Sequence, residues 1–388
     1  MSHTFNIDTR WLESRTATGG TGIYIKKLVP ALLKLDTVNR YHLWGSPVKM
    51  SGVTAQNVHS FPFQGNWRRG WQLLWKTVGW PPVDLPGPRC DLWHFTNYVA
   101  PPTRKPFVVT IHDLTFVKYR EYVEPKNLAY LERFVPDTLQ RAGQIIAVSE
   151  STRDGIVDAF KISRNKITVV PHAADPRFGE EQDPVATGRI AKKYGIDRDY
   201  LLTVGTLEPR KNLKTLFLAF SALRKHVREQ LVVVGGKGWL FEETQQLIRK
   251  LGLADRVILT GFVPDAELPA LYAGAKAFVF PSHYEGFGIP LLEAMTSGTP
   301  VVTSNTSSMP EVAGSAALYF DPDDDKGMRL AIERVLGDAK LRQRLVGAGH
   351  EQAARFSWER TAHRTLGAYY KALGVGNARV VQPEVPPA

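Results

Sequence analysis

The sequence predicts an α/β protein built from two doubly wound parallel-sheet domains. The chain has 388 residues, which is enough for two domains of roughly 150–200 residues each. Short runs of Val, Ile and Leu alternate with helical stretches in both halves of the chain. Runs that are apolar throughout indicate strands covered on both faces, and such strands are typical of parallel sheets joined by right-handed helical crossovers.

Six apolar runs in the first half predict buried strands, at residues 5–7, 41–44, 91–95, 107–111, 144–148 and 167–170. The stretch at 22–35 predicts a helix, because its apolar residues recur at helical spacing. The segment SESTRDGIVDAF predicts the start of another helix, with Ser149 or Ser151 as its N-cap.

The second half repeats this scheme more cleanly. Strands are predicted at 201–204, 231–234, 257–260, 277–280 and 300–303, and helices at 212–225, 239–251, 266–274, 289–297 and 310–313. After a last strand at 317–320, the chain is predicted to be helical to residue 373. These final helices are more than the second sheet needs.

The polar segment at 171–184 is rich in Pro and Gly and predicts the linker between the domains. We therefore expect an N-terminal domain at 1–175 and a C-terminal domain at 185–355. A helix at 356–375 is expected to cross back to the first domain. The remaining tail, 376–388, is expected to be disordered.

The net charge of the chain indicates which classes of binding partner are favoured. The net charge is +11, and most of the surplus lies in residues 1–180, which hold 23 Lys and Arg residues against 15 Asp and Glu residues. A basic surface favours anionic partners such as nucleic acids, phospholipids or phosphorylated substrates. The sequence contains no run of five like charges and no nucleic-acid-binding motif, so we expect no nucleic-acid partner.

Cysteine usage and hydropathy predict the compartment. Cys90 is the only cysteine, which excludes an intramolecular disulfide and argues against a thiolate zinc site. This usage fits a reducing compartment. No apolar run reaches the ~18 residues of a transmembrane helix, and the opening MSHTFNIDTR lacks the pattern of a signal peptide. We therefore expect a cytoplasmic protein.

The segment HYEGFGIPLLEAMTSGTPVV, which starts at His283, is the strongest candidate site. It follows the predicted strand at 277–280, and ligands of doubly wound folds lie beyond the carboxyl ends of strands. Glu285 precedes the predicted helix and Glu293 lies within it, so both carboxylates are placed to accept hydrogen bonds from sugar and ribose hydroxyls. The alternative is that Glu285 is a surface loop charge and Glu293 a solvated helix residue.

Arg210 and Lys211 follow the predicted strand at 201–204. Two adjacent cations at the end of a strand suit a diphosphate, because an Arg side chain binds two phosphate oxygens at once. In isolation they could equally be solvated loop residues before a helix.

Several motifs together resemble the retaining glycosyltransferases of family 4, which have the GT-B fold. The Glu-x7-Glu spacing around GFGIPLLEA resembles the signature of that family, and further similar segments lie at 109–116, 145–153, 203–213, 232–239, 259–288 and 299–314. The resemblance covers nearly the whole chain. It implies two Rossmann-like domains facing a central cleft, the first binding an acceptor and the second a nucleotide sugar.

The resemblance assigns the donor diphosphate to Arg210 and Lys211. It also brings the backbone of Gly205 and the hydroxyl of Thr206 close to the same phosphates. The barrier in such a reaction is departure of a nucleotide diphosphate, so stabilisation of the negative charge that develops on it should contribute most to catalysis.

The same resemblance gives the two glutamates separate roles. Glu285 contacts sugar hydroxyls while the ring becomes cationic, and Glu293 binds the ribose. The helix that starts after Glu285 places Phe287, Gly288 and Ile289 at the donor, where its N-terminus attracts negative charge.

In the first half, the resemblance implies that His112 contacts the hydroxyls of the reacting sugar and helps to position its anomeric centre. Asp113 joins it in the catalytic group, although an Asp after a strand often caps a turn, and a strand-end His can be a core residue. The loop TGGTGIY resembles the family's glycine-rich loop, which implies that Gly20 and Gly22 lie near the donor phosphates, although which of Gly19, Gly20 and Gly22 approaches the donor stays open. It follows an extra DTRWLESRTA, so this loop could instead help to hold the acceptor.

Two weaker predictions concern the base and the phosphates of the donor. The base is expected near Val263, beside Phe262, where these residues could alternatively form a hydrophobic staple for the next helix. Lys237 could reach donor oxygens or remain a solvated loop residue.

The stretch at 61–82 combines four Trp residues with Arg68, Arg69 and Lys76. This composition is typical of segments that lie on a membrane interface, where an acceptor on a polyprenyl diphosphate would be found. An ordinary helix that packs its Trp side chains into the first domain is the alternative.

The resulting hypothesis is a hexosyltransferase without a metal or other cofactor. Its motifs are similar to bacterial mannosyltransferases of surface-polysaccharide assembly, which favours GDP-mannose over UDP-glucose, UDP-N-acetylglucosamine and dTDP-rhamnose. Other possibilities are a nucleotide-sugar epimerase or phosphorylase on the same scaffold and a non-catalytic polysaccharide-binding or lipid-binding protein.

Overall fold

The computed structural model describes residues 2–13, 19–46, 48, 57–62, 67–77, 79–85, 87–236 and 241–375. The chain divides into two compact units, unit 1 (Met1–His172 with Ser357–Ala388) and unit 2 (Ala173–Phe356). None of the helices in the described ranges is both long and apolar enough to cross a membrane. The tail at 376–388 lies outside the described residues.

The strands are short, mostly of four to six residues. In chain order they are β1 (Thr4–Thr9), β2 (Arg40–Gly45), β3 (Val58–Phe61), β4 (Leu92–Phe95), β5 (Phe107–Ile111), β6 (Gln144–Ala147), β7 (Ile167–Val169), β8 (Tyr200–Val204), β9 (Gln230–Val234), β10 (Val257–Gly261), β11 (Ala277–Phe280), β12 (Val301–Ser304) and β13 (Ala317–Phe320).

Helices alternate with these strands along most of the chain. They are α1 (Gly20–Leu35), α2 (Trp67–Thr77), α3 (Thr115–Lys118), α4 (Pro125–Arg141), α5 (Glu150–Phe160), α6 (Pro184–Lys193), α7 (Leu213–Leu223), α8 (Phe241–Lys250), α9 (Leu268–Ala273), α10 (Ile289–Thr296), α11 (Met309–Ala313), α12 (Asp325–Gly337), α13 (Ala339–Ala353) and α14 (Trp358–Ala372). Ser149 is the N-cap of α5 and accepts a hydrogen bond from the Thr152 backbone N–H, which selects it over Ser151.

Unit 1 is built around a parallel sheet with the strand order β3-β2-β1-β4-β5-β6-β7. Strands β4, β5 and β6 are buried along their whole length, as continuous apolar runs predict. The chain moves outward from β1 to β3 on one side and from β4 to β7 on the other. The carboxyl ends of β1 and β4 therefore form the switch point, where doubly wound sheets bind ligands.

The last helix, α14, belongs to unit 1 although it follows unit 2 in the chain. It packs against α1, β5 and β6. The hydroxyl of its Tyr369 lies 2.7 Å from His94 Nδ1 in the buried core, and the Thr361 hydroxyl donates to the Pro171 carbonyl over 2.7 Å. This helix therefore completes the core of unit 1.

Unit 2 has a parallel sheet with the strand order β10-β9-β8-β11-β12-β13. An apolar cluster lies between this sheet and helices α7, α8, α12 and α13, and includes the fully buried Phe220, Val279 and Ile332. The order again reverses once, so the switch point of unit 2 lies between β8 and β11.

Several elements, among them α3, α4, β3 and α6, were not predicted from the sequence. β3 is an exposed edge strand of sequence VHSF, and its mixed composition lacks the buried run by which the other strands were recognised. α6 begins at Pro184, the last residue of the predicted linker. Its N-cap Asp183 accepts hydrogen bonds from two backbone N–H groups, but none of its residues is buried, so the apolar pattern is weak.

Candidate active site

The switch point of unit 2 joins two polar loops, one after β8 and one after β11. The first loop runs through a 3-10 turn at Pro209–Lys211 to Asn212. The Asn212 side chain donates hydrogen bonds to the carbonyls of Pro281 and Pro322, over 3.1 and 2.7 Å. In addition, the His283 N–H donates to the Arg210 carbonyl over 2.9 Å. The two loops are therefore fixed to each other by hydrogen bonds.

Glycine permits a close approach of backbone segments beside β8. A Cβ at Gly235 would lie 1.9 Å from the Gly205 carbonyl oxygen, so no other residue fits there without a shift of the backbone. A Cβ at Gly205 would lie 3.1 Å from Lys211 Cε. The predicted residue Gly205 thus leaves room for the Lys211 side chain, and the neighbouring Thr206 is exposed.

Arg210, Lys211 and Glu285 form one cluster at this switch point. Arg210 Nη1 lies 2.6 Å from Glu285 Oε2, and Lys211 Nζ lies 2.6 Å from Glu285 Oε1. Arg210 also contacts Glu208 over 2.7 Å. Burial raises the pKa of Glu285, but the positive charges of Arg210 and Lys211 outweigh this effect and lower the pKa to about 2. The carboxylate is therefore ionised at every physiological pH.

The backbone around Glu285 is held by a second set of residues, which the sequence reasoning missed. The Glu285 N–H donates to Ser307 Oγ over 3.0 Å, and the Ser308 hydroxyl lies within hydrogen-bond distance of the carbonyls of Glu285 and Phe287, at 3.0 and 2.7 Å. Both serines follow β12, which neighbours β11 in the sheet. The Ser and Thr residues after that strand were the signal that could have identified them.

The helix α10 begins directly after this loop. Its N-cap is Gly288, with φ of +103°, a conformation that favours glycine. The side chains of Phe287 and Ile289 are buried, so their contribution to a ligand would come from the backbone. Pro290 occupies the first turn, as predicted.

Glu293 lies in a different environment from Glu285. Its side chain is buried, with 6% exposed, which contradicts the alternative of a solvated helix residue. The Tyr272 hydroxyl donates a hydrogen bond to Glu293 Oε2 over 2.9 Å. Burial raises the pKa of Glu293 to about 7, and the negative charges of Asp175 and Asp265 act in the same direction. The two glutamates therefore have opposite acid–base properties.

The remaining predictions for unit 2 differ in outcome. Phe262 is 59% exposed, whereas Val263 is buried, so the Phe262 ring is not a buried hydrophobic staple. Lys237 lies outside the described residues. The described part of the chain contains no group of three or more His, Cys, Asp or Glu residues placed to hold a metal ion.

The switch point of unit 1 contains a cavity of about 130 Å³. It is lined by Trp11, Gly19, Gly20, Thr21, Gly22 and Asn97. The first backbone N–H groups of an α-helix have no acceptor within the helix, and α1 starts here with no side-chain cap on Gly19. Asn97 Oδ1 is buried and has no hydrogen-bond partner among the described residues. The helix start therefore offers backbone donors to the cavity, and the amide side chain of Asn97 forms part of its lining.

His112 and Asp113 follow β5, next to β4 in the same sheet. His112 Nε2 lies 2.9 Å from the Thr96 carbonyl and must donate to it, so the ring holds its proton on Nε2. Burial lowers the pKa of His112, and the ring is neutral at pH 7. Asp113 Oδ1 accepts a hydrogen bond from the Thr115 N–H over 2.8 Å, which closes a turn at the start of α3.

Comparisons with known proteins agree with this architecture. The family model for glycosyl transferases group 1 matches residues 187–352, and that for Glycosyltransferase Family 4 matches residues 18–178. The chain is 34% identical over 281 residues to O-antigen chain mannosyltransferase B of Escherichia coli, covering 72% of this chain and 74% of that protein. It is 31% identical over 274 residues to the serotype-specific mannosyltransferase WbdA of Escherichia coli, covering 69% of this chain and 33% of that protein.

Among solved structures, sucrose-phosphate synthase from Thermosynechococcus elongatus is similar, with a TM-score of 0.76 and 19% identity over 96% of this chain and 99% of that chain. The fold is thus GT-B, and the protein is a glycosyltransferase. Within that class, the chain belongs to glycosyltransferase family 4.

Proposed function

We propose that the protein is a retaining, metal-independent mannosyltransferase. It transfers mannose from GDP-mannose to a glycan or to a saccharide on a polyprenyl diphosphate, in the synthesis of a cell-surface polysaccharide. The observation that carries this proposal is the cluster of Arg210, Lys211 and Glu285 at the switch point of unit 2. The names of the mannosyltransferases to which the chain is similar support the choice of sugar.

The cluster provides the charges that the reaction needs. Arg210 and Lys211 stabilise the negative charge that develops on the leaving diphosphate, and preorganised charges of this kind account for much of the catalysis of group transfer. Because two side-chain cations supply this charge, no metal ion is required. Glu285 stays ionised and faces the sugar ring as it becomes cationic.

Retention follows from attack of the acceptor hydroxyl on the same face of the sugar that the diphosphate leaves. The bond between the anomeric carbon and the phosphate oxygen breaks, the bond to the acceptor oxygen forms, and a phosphate oxygen takes the acceptor proton.

Neutral His112, with its Nε2 proton held by Thr96, keeps Nδ1 as an acceptor for a sugar hydroxyl. In this proposal Asp113 orients the turn that carries His112.

We propose that the cavity of unit 1 binds either the acceptor saccharide or the phosphates of the donor. Its helix N-terminus donates to oxygens, and the amide of Asn97, which lines the cavity, is a hydrogen-bonding partner for a sugar hydroxyl. The hydroxyls on adjacent carbons of a saccharide can both accept hydrogen bonds from the helix N–H groups and donate one to Asn97. The space beside Gly20 at the helix start is open, because a Cβ there would contact nothing within 4 Å, and Gly22 also lines the cavity.

Contact with a membrane is proposed through the α2 surface, defined as Leu73 and Leu74 of α2 with Trp80 and Leu85 that follow it. These side chains are 63, 41, 58 and 58% exposed, respectively. Trp75, in contrast, is buried and donates a hydrogen bond to the Pro81 carbonyl. The side chains of Arg68, Arg69 and Lys76 lie outside the described residues. Apolar side chains on a basic half of the chain suit an anionic lipid surface.

The donor is tested with purified protein and four nucleotide sugars, namely GDP-mannose, UDP-glucose, UDP-N-acetylglucosamine and dTDP-rhamnose. Thermal shift identifies the donor that binds, since a ligand of the native state raises the melting temperature. NMR of the product is expected to show the anomeric configuration of the donor, and turnover is expected to continue in EDTA. Consumption of the donor without an acceptor would instead indicate an epimerase.

The cluster is tested with Lys211→Ala, which removes one of the two cations. Donor turnover is expected to fall by at least ~10²-fold while the fold is retained. Lys214→Ala, an exposed Lys in the first turn of α7, is the matched control and is expected to leave turnover unchanged. Equal turnover in the wild-type protein and a well-folded Lys211→Ala variant would contradict the diphosphate role.

A further inference from the structure

Tyr272 holds Glu293 through a buried hydrogen bond, and neither residue reaches solvent freely. Tyr272 is completely buried and Glu293 is 6% exposed. The Tyr272 hydroxyl lies 2.9 Å from Glu293 Oε2. Burial raises the pKa of Tyr272 well above its usual value, so the hydroxyl keeps its proton and acts as a donor to the carboxylate.

The Tyr272 ring is fixed by its own neighbours. Its centroid lies 5.4 Å from that of Phe178 in an edge contact and 5.2 Å from that of Phe278. The Thr299 hydroxyl donates to the Tyr272 carbonyl over 2.7 Å. Because both ring and backbone are held, the direction of the hydroxyl is set by the packing, and the carboxylate of Glu293 is oriented with it.

The charged groups that act on Glu293 disfavour its ionised form. Asp175 and Asp265 both raise the pKa of its carboxyl group, in addition to the larger effect of burial. Arg177 is engaged with Asp175 over 2.7 Å. Two other titratable residues lie on helices that pack against α10. Glu311 belongs to α11, and His350 of α13 lies against Gly298, beyond the end of α10. The Tyr272 hydroxyl opposes these effects, because it stabilises the negative charge.

We propose that Tyr272 is a positioning residue that keeps Glu293 ionised and aimed at the donor, so that both carboxylate oxygens are available to ribose hydroxyls. The inference rests on the proposed function and on the ribose-binding role that the family resemblance implies for Glu293. An ionised carboxylate accepts from two hydroxyls, whereas a protonated one has lost part of its acceptor capacity. Tyr272 would therefore determine the pH range in which the donor binds.

The raised pKa of Glu293 determines how kcat/KM for the donor depends on pH. In the wild-type protein Glu293 becomes protonated as the pH falls through about 7, and kcat/KM for the donor decreases there. Removal of the hydroxyl in Tyr272→Phe removes a stabilising interaction with the charged form. The fall in kcat/KM should then begin at a higher pH, shifted by about one pH unit if the bond has the strength usual for a charged acceptor.

The experiment compares Tyr272→Phe with Tyr200→Phe between pH 6 and pH 9. Tyr200 is also buried, and its hydroxyl donates over 2.7 Å to the neutral Leu271 carbonyl, so it is a matched control without a titrating partner. For Tyr272→Phe we expect the upward shift of the kcat/KM profile, a kcat at saturating donor close to that of the wild-type protein, and recovery at high pH. For Tyr200→Phe we expect the wild-type profile.

A second measurement needs no ligand. In urea unfolding, Tyr272→Phe should lose more stability relative to wild type at pH 8.5 than at pH 6, because the lost bond is to a carboxylate that is ionised at the higher pH. The loss in Tyr200→Phe should not depend on pH. Equal losses at both pH values in Tyr272→Phe, or an unshifted kcat/KM profile, would overturn the proposal. Absence of turnover in the wild-type protein with every donor would instead contradict the proposed function.

Discussion

Glu285 is a buried carboxylate whose two oxygens are each held by a cation. Because its pKa is lowered to about 2 in the folded protein, it contributes stability above its unfolded pKa and loses that contribution as the pH falls from about 4.5 to about 2. The same ion pairs hold Arg210 and Lys211 in place. The residue is therefore important for both stability and the geometry of the cations.

Glu285→Gln tests this contribution. At pH 7 we expect a loss in the free energy of unfolding on the order of 3 kcal/mol, since a pKa difference of about two units corresponds to that energy. The difference between variant and wild type should shrink as the pH is lowered below about 4.5. Urea unfolding at pH 7, 5 and 4 measures this difference in the free energy of unfolding. A difference that does not change with pH would contradict an ionised Glu285 paired with the two cations.

The residues of the cluster were predictable because adjacent parallel strands end at the same edge of a sheet. Arg210, Lys211 and Glu285 follow β8 and β11, and the structure places these strands side by side. Ser307, Ser308 and Tyr272 were missed, because their roles depend on which backbone groups and side chains face them. The burial of Glu293 was equally invisible, since it arises from the packing of α9 and α10.

The helix α2 combines one inward and one outward apolar face. Trp75 packs into unit 1, where its ring centroid lies 6.0 Å from that of Trp44, so the sequence-based alternative of a packed helix is correct for this residue. Leu73 and Leu74 remain exposed on the other side. Exposed apolar side chains next to Trp80 are typical of an interfacial segment.

The double substitution Leu73→Glu with Leu74→Glu tests the α2 surface. Binding to vesicles containing phosphatidylglycerol is expected to fall at least ~10-fold, because two apolar side chains are lost and two negative charges are added. Leu330→Glu, on the 56% exposed Leu330 of α12, is the control and should bind as the wild-type protein does. Equal sedimentation of all three proteins with the vesicles would exclude membrane contact through α2.

The strands illustrate which elements a sequence pattern can identify. β5 and β11 are buried on every residue, so burial on both faces leaves an apolar run that predicts them directly. β3 lies at the edge, is covered less and carries polar residues. None of the residues of α6 is buried, so this helix has no apolar stripe by which a sequence pattern could identify it.

The path of the chain makes unit 1 depend on residues from both ends of the sequence. Trp358, Ala362, Leu366, Ala368 and Tyr369 of α14 are all buried. They cover apolar surface on α1 and on the sheet of unit 1, against which α14 packs. The surplus of helices after the second sheet predicted that one of them serves the first domain, and the bond between Tyr369 and His94 gives this prediction its structural basis.

A chain that ends at Phe356 should therefore lose the fold of unit 1 and keep that of unit 2. Replacing a single buried aromatic residue by Ala costs about 3–5 kcal/mol, and loss of the whole helix exceeds the roughly 5–15 kcal/mol by which a typical domain is stable. Hydrogen exchange followed by mass spectrometry should show rapid exchange in β1, β4 and β5 of the truncated chain, with protection retained in β8, β9 and β11. The single substitution Tyr369→Ala in the full chain should have a smaller effect, with amide hydrogen exchange faster than in the wild-type protein in unit 1 only. Equal loss of protection in both units would show that α14 does not serve unit 1 specifically.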